Sequence, residues 1–207
     1  MARRKDQVRA RRTILDAALA AVSDRDVGRL KIREVAELAG VSPATVHYYF
    51  DDLDTLLREV HREASDRFFG ARLAMVADIP DAREKIGALI WAGLPADDTD
   101  QLVVALYRLV AYRNIAAEHG DLITALFDKQ VALYMSALEV GSAQGHFTID
   151  APILEVAANL VALEDAYGLH IITGNRSVTK ARAAQLICSY ARTATCCPDI
   201  ATPLKDA

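Results

Sequence analysis

At 207 residues, 52% of them hydrophobic and with only ten glycines and six prolines, the chain can bury a full core and is too apolar to be disordered. Its three cysteines show no CxxC or Cys/His ligand spacing, so neither a disulfide framework nor a zinc site is signalled. The net charge of −4 is unevenly spread: residues 1–50 carry ten Lys and Arg against six Asp and Glu, while the remainder stands at −8. A basic head on an acidic body is the pattern expected when one end meets nucleic acid and the other does not.

The N-terminal MARRKDQVRARR followed by ILDAALAAVS imitates an export signal. Asp16 interrupts the apolar run, however, and Ile14, Ala17, Ala18, Ala21 and Val22 line one side of a helix from about Asp6 to Ser23. No later run is long and charge-free enough to cross a bilayer, so a soluble, cytoplasmic protein is expected. Arg3, Arg4 and Lys5 ahead of this helix could touch phosphates or form a solvated tail. After a loop over Asp24–Arg29, a second helix is predicted from near Lys31, with Val35, Ala36 and Leu38 on its apolar side.

Ala39-Gly40-Val41 breaks that helix, Gly40 being free to take a positive φ. Ser42 is a good N-cap and Pro43 suits the first helical position, so a third, very short helix is predicted to about Tyr49. Two short helices around a tight glycine turn read as a helix-turn-helix, whose second helix can lie in a DNA major groove. Ala36, Val41 and Val46 are the apolar pins, and Thr45, His47 and Tyr48 face outward, toward phosphates and base edges. Any two short helices with a glycine turn read alike, so the flanks matter.

The stretch IREVAELAGVSPATVHYYF resembles the DNA-binding signature of the TetR-type one-component transcriptional regulators, and RRTILDAALAAVS resembles their first helix. The resemblance implies contacts to bases or methyl groups from Pro43, Ala44 and Thr45, to the phosphate backbone from Tyr49, and to DNA from Arg33. The candidate DNA-contacting set is therefore Arg33, Ser42, Pro43, Ala44, Thr45, His47, Tyr48 and Tyr49. Two departures stand out. His47 takes a position commonly held by Tyr, and Leu53 takes that of a phosphate-gripping Lys, among Asp51, Asp52 and Asp54. Those acids suit a helix N-terminus but repel DNA.

In the rest of the chain, Leu53, Leu57, Val60, Ala64, Phe68, Ala71 and Met75 form a helical stripe on a fourth helix of about 25 residues, close to 40 Å long. Asp81 caps a fifth helix carrying Ile86, Leu89, Ile90 and Trp91. A sixth is predicted from about Gln101 to Glu118, a seventh from near Asp121 to Gly141, an eighth from Asp150-Ala151-Pro152 to about Thr173, and a ninth capped by Ser177 or Thr179. The chain thus reads as all-α: a helix-turn-helix domain over residues 1–50 and a helical effector-binding and dimerisation domain over 51–207.

The eighth helix is apolar over most of its circumference, with Ala157, Ala158, Ala162, Ala166 and Gly168 permitting close approach, so a homodimer through helices eight and nine is expected. Glu164 and Asp165 there need partners such as His170 or Arg182, or must face out of the seam. Trp91, Tyr107, Tyr112, Asn114, Phe127 and Tyr134 are the candidate lining of an effector cavity, although aromatics at helical spacing are usually core. The tail also loosely resembles regulators responding to choline-like cations. None of the five histidines has an acid three positions before it, and neither a phosphate-cradling glycine loop nor a nucleophile elbow occurs, so no enzyme, metal or cofactor is indicated. The expected partners are a palindromic double-stranded operator, a small-molecule effector and a second copy of the chain; a DNA-binding regulator without an effector is the alternative, an all-helical enzyme the remote one.

Overall fold

A computed structural model describes residues 2–112 and 117–202. Among them are nine α-helices, one 3₁₀ turn and no strand. The helices are α1 (Ala2–Asp24), α2 (Ile32–Ala39), α3 (Pro43–Tyr49), α4 (Leu53–Val76), α5 (Ala82–Gly93), α6 (Gln101–Ala111), α7 (Ala117–Ala143), α8 (Ile153–Ile172) and α9 (Lys180–Ala194). None of the described helices is long and apolar enough to cross a membrane.

The boundaries follow local chemistry. Gly40 ends α2 at φ +66°, where a side chain would be strained. Side-chain oxygens of Ser42, Asp52, Asp81 and Thr179 accept the N–H groups of Thr45, Thr55, Arg83 and Arg182, capping α3, α4, α5 and α9. Two boundaries differ from expectation: α6 stops at Ala111 rather than Glu118, and α7 begins at Ala117 rather than Asp121. The remainder of the expected sixth helix includes residues 113–116, which lie outside the described residues.

By packing, the chain forms two compact units, Met1–Phe68 with Gln101–Ile123 and Phe69–Asp100 with Thr124–Ala207; α4 and α7 each run from one into the other. The first unit therefore extends past residue 50. Its core joins Ile14, Ala18 and Val22 of α1, Val35 and Ala36 of α2, Val46 of α3, Leu56, Leu57 and Val60 of α4, and Ala105 and Leu109 of α6. Leu38, expected on the apolar side of α2, is half exposed because that short helix buries only Val35 and Ala36. Arg108 of α6 donates to the carbonyls of Val22 and Arg25, at 3.2 and 3.0 Å, closing the C-terminal end of α1.

The same unit buries a histidine pair. His61 Nδ1 and His119 Nε2 lie 2.9 Å apart, and His119 Nε2 is 3.2 Å from the Leu109 carbonyl oxygen. Burial, then the neighbouring ring, pushes His61 down to about 4, and burial lowers His119 as well.

The second unit packs α5, α7, α8 and α9 around Ile86, Leu89, Ile90, Leu138, Leu160, Val161 and Ile187. Here the stripe expected on α4 needs correction. Ala71 and Met75 are exposed, whereas Arg72 and Val76, one position on, are buried. With His61 and Ser65 also buried, the inward side of α4 is partly polar, which a hydrophobic pattern alone misplaces.

Candidate nucleic-acid interface and buried polar cluster

On α3, Val46 is fully buried and holds the helix by one side against the core of the first unit. The other side leaves Pro43, Ala44, His47 and Tyr48 exposed, with Thr45 and Tyr49 half buried. Tyr48, at 71% exposed, projects furthest, its ring edge-on to Tyr49 with centroids 5.0 Å apart. The Ser42 hydroxyl is committed to the cap: it accepts the Thr45 N–H and lies 2.9 Å from the Thr45 hydroxyl. His47 Nδ1 sits 3.3 Å from the Asp51 carbonyl oxygen, which fixes the ring's direction. Arg33 is exposed on α2. The eight residues singled out from the sequence thus belong to one α2–turn–α3 segment, most of them outward.

Around this segment α1 and α4 are clipped together by charge. Arg11 reaches Glu59 at 2.9 Å, Arg12 reaches Glu63 at 2.7 Å, and Arg67 reaches Asp16 at 3.5 Å. Each pair is at least partly exposed and contributes little alone, but together they fix α1 along α4. The Arg11 guanidinium also lies 5.1 Å from the Phe50 ring centroid. At the start of α4, the Thr55 backbone N–H and hydroxyl hold the Asp52 carboxyl below its usual range, while Leu53 packs half buried on the core.

The candidate effector residues do not converge. Tyr107 and Tyr112 belong to the first unit, where Tyr112 lines an open cleft of about 620 Å³ with Arg25, Gly28 and Arg108. Trp91, Phe127 and Tyr134 belong to the second, and Asn114 lies outside the described residues. Phe127 is 37% exposed, while Tyr134 is fully buried. Over Trp91 stands Lys180, with Nζ 4.7 Å from the ring centroid and donating to the Leu94 carbonyl at 2.9 Å.

Tyr134 leads to a group of residues that periodicity did not bring together. Arg72 of α4 donates through Nη1 to Glu164 Oε2 at 2.9 Å and to Gln130 Oε1, and through Nη2 to Glu164 Oε1 at 2.9 Å and the Leu89 carbonyl at 3.1 Å. Tyr134 donates its hydroxyl to Glu164 Oε1 at 2.5 Å, and its ring centroid is 5.7 Å from the guanidinium carbon. All four side chains are buried. Glu164 is therefore partnered by Arg72 and Tyr134, not by His170 or Arg182 as expected, because it points into the unit rather than along the α8 surface. Burial pushes its carboxyl up to about 7 despite the opposing Arg72 charge. Gly93 makes the room: a Cβ there would stand 2.2 Å from the carboxyl group.

On α8, Val156, Ala157, Leu160, Val161 and Ile171 are buried, while Leu154 and Leu169 are 56% and 50% exposed, with Ala162 and Ala166 exposed between them. Helix α9 lies alongside, the Asn159 amide donating to the Tyr190 hydroxyl at 3.0 Å.

Residues 14–60 match the model of a family described as bacterial regulatory proteins, tetR family. Similar proteins include the transcriptional repressor KstR2 of Rhodococcus jostii, 28% identical over 144 residues that cover 69% of this chain and 71% of that one. The transcriptional regulator BetI of Rhizobium meliloti is 31% identical over 97 residues, covering 47% and 48%. A candidate transcriptional regulator from Saccharomonospora viridis, solved in complex with choline, superposes at TM-score 0.82 with 26% identity, covering 89% of this chain and 96% of that one. A TetR regulator from Haloarcula marismortui shares the fold at TM-score 0.81 and 21% identity, covering 91% and 99%.

Proposed function

This chain belongs to the TetR family of bacterial regulatory proteins, and from that premise we propose that it is a repressor that binds a palindromic operator as a homodimer and leaves it when a small molecule binds. The observation that carries the DNA reading is the α2–turn–α3 segment: α3 is pinned by buried Val46 and presents Pro43, Ala44, Thr45, His47, Tyr48 and Tyr49 on its other side. Pro43, Ala44 and Thr45 are placed to read bases and methyl groups, Tyr49, Tyr48 and Arg33 to meet phosphates. Ser42 shapes the segment through its cap.

The outward apolar stripe of α8, Leu154, Ala162, Ala166 and Leu169, supports dimerisation through α8 and α9, since a second copy would cover it in an isologous four-helix interface. Choline in the Saccharomonospora viridis protein supports a small organic effector here too. The second unit, with Trp91 and Tyr134, is the proposed place for it; Phe127, Tyr107, Tyr112 and Asn114 are secondary candidates. Helix α4 carries the signal, since it begins directly after the α2–α3 segment and ends in the second unit. The ligand must bind the released conformation more tightly: a tenfold loss of operator affinity needs about 1.4 kcal/mol of coupling, and operator must weaken ligand binding by the same factor. Selection of bound fragments from random DNA tests the reading. An enriched inverted repeat is expected, and the absence of any enriched sequence would overturn it.

A further inference from the structure

Resting on the reading of a ligand-gated regulator, we propose that Glu164, Gln130, Tyr134 and the Leu89 carbonyl form the effector's site, that it takes an organic cation with an N–H-bearing guanidinium or ammonium head, and that Arg72 occupies it in the ligand-free protein as the ligand's stand-in.

The grounds lie in which groups surround Arg72. Two carboxylate oxygens, an amide oxygen, a main-chain carbonyl and an aromatic face all turn toward one guanidinium. Each turns an acceptor or a π face toward that guanidinium, an arrangement that favours a cation carrying several N–H groups. The Tyr134 hydroxyl is spent on Glu164 Oε1, and Gln130 turns its amide oxygen, not its N–H groups, toward Arg72. The site is also built rather than accidental: α5 has glycine at position 93, where any Cβ would strike the Glu164 carboxyl. The four partners come from α5, α7 and α8, so the box is complete without α4 except for its cation.

Exchange of cations is energetically reasonable. A buried ion pair roughly breaks even against its desolvation, whereas removing one partner outright is costly. A ligand cation that displaces Arg72 keeps the charge of the box unchanged, and the released guanidinium regains water. A guanidinium head could remake all four N–H bonds, and a primary ammonium three of them. Choline, a quaternary ammonium, has no N–H and a single O–H, so it would keep the Tyr134 face but leave at least one of Gln130 and Leu89 unmet. Expulsion of Arg72 would cut the bonds from α4 to α5, α7 and α8 at one stroke, which is the movement that the gating reading requires.

The test uses full-length protein, with the fluorescence of Trp91, the sole tryptophan, and the melting temperature as readouts that involve no DNA. Arg72→Ala should melt earlier than wild type, or fail to fold alone. Ethylguanidinium should restore it saturably, and ethylurea, its neutral isostere, should not. Ethylguanidinium should bind this variant at least about tenfold more tightly than wild type, because the tethered Arg72 no longer competes. In wild type, agmatine should bind saturably, more tightly than choline, and Glu164→Gln should abolish the response. An Arg72→Ala protein that answers to both small compounds alike, or to neither, overturns the site. Agmatine binding that leaves DNA affinity unchanged overturns its effector role. Release of DNA by a neutral or anionic molecule alone would defeat the inference and leave the regulator reading standing.

Discussion

Arg72 and Glu164 meet in a bidentate pair, each guanidinium nitrogen 2.9 Å from its own carboxylate oxygen, with the two side chains only 1% and 2% exposed. One belongs to α4 and the other to α8, the helices on which gating and dimerisation are proposed to depend.

Breaking that pair from either side leaves a buried charge without its counterpart. Arg72→Ala and Glu164→Gln should each lose about 3–5 kcal/mol of stability, while Arg72→Met combined with Glu164→Leu should lose much less than the sum. Gly93→Ala should act through the same pair, since its Cβ would stand 2.2 Å from the carboxyl. Denaturant melts of the four variants check this. Equal losses from the double variant and the sum would show that the two residues act independently.

The His61–His119 pair gives a pH dependence of known sign. His61 is depressed to about 4 in the folded chain against about 6.5 when unfolded. The unfolded chain therefore takes up the proton first, so stability present above pH 6.5 should fall steadily as pH drops toward 4. His61→Gln should flatten that part of the slope. Urea midpoints measured between pH 7.5 and 4.5 would show it, and parallel slopes in both proteins would contradict it.

At the DNA face, Thr45→Ala and Tyr49→Phe should weaken binding to the selected sequence more than to random DNA. Leu53→Lys should strengthen binding to both. Leu53 is half buried against the core, and a lysine stem can cover that apolar surface while its ammonium reaches outward. Each phosphate contact so gained should steepen the log–log salt dependence by roughly 0.9. An unchanged slope would mean that this end of α4 does not lie on the DNA backbone.

Leu154 and Leu169 are exposed on α8. Charges placed there should separate copies without unfolding either one, so Leu154→Glu with Leu169→Glu should shift sedimentation toward the monomer at unchanged helical content. A dimer that persists would place the seam elsewhere.

Much of this was legible in the residues. Gly40, Ser42 and Pro43 specify the α2–α3 turn through backbone freedom, capping and a fixed φ, all local effects, and the structure has each as expected. The partners of Glu164 were not. A carboxylate amid apolar α8 announces that it needs a counterpart, but Arg72 lies 92 positions away and looks, on α4, like any surface arginine. The His61–His119 pair is hidden for the same reason: sequence periodicity places residues on helix faces but does not say which faces meet. The expected aromatic lining rests on residue type and helix-face spacing, neither of which says which helices meet, and packing distributes those rings over both units.

The central claim, a dimer reading two half-sites through paired α3 helices, is tested most directly by titrating the protein onto the selected inverted repeat while varying the spacing of its halves. Two chains per repeat are expected, with tightest binding when the half-site centres lie about 34–36 Å apart and a sharp loss when about five base pairs, half a turn, are inserted. One chain per half-site with affinity indifferent to spacing, or no preference over scrambled DNA, would contradict it.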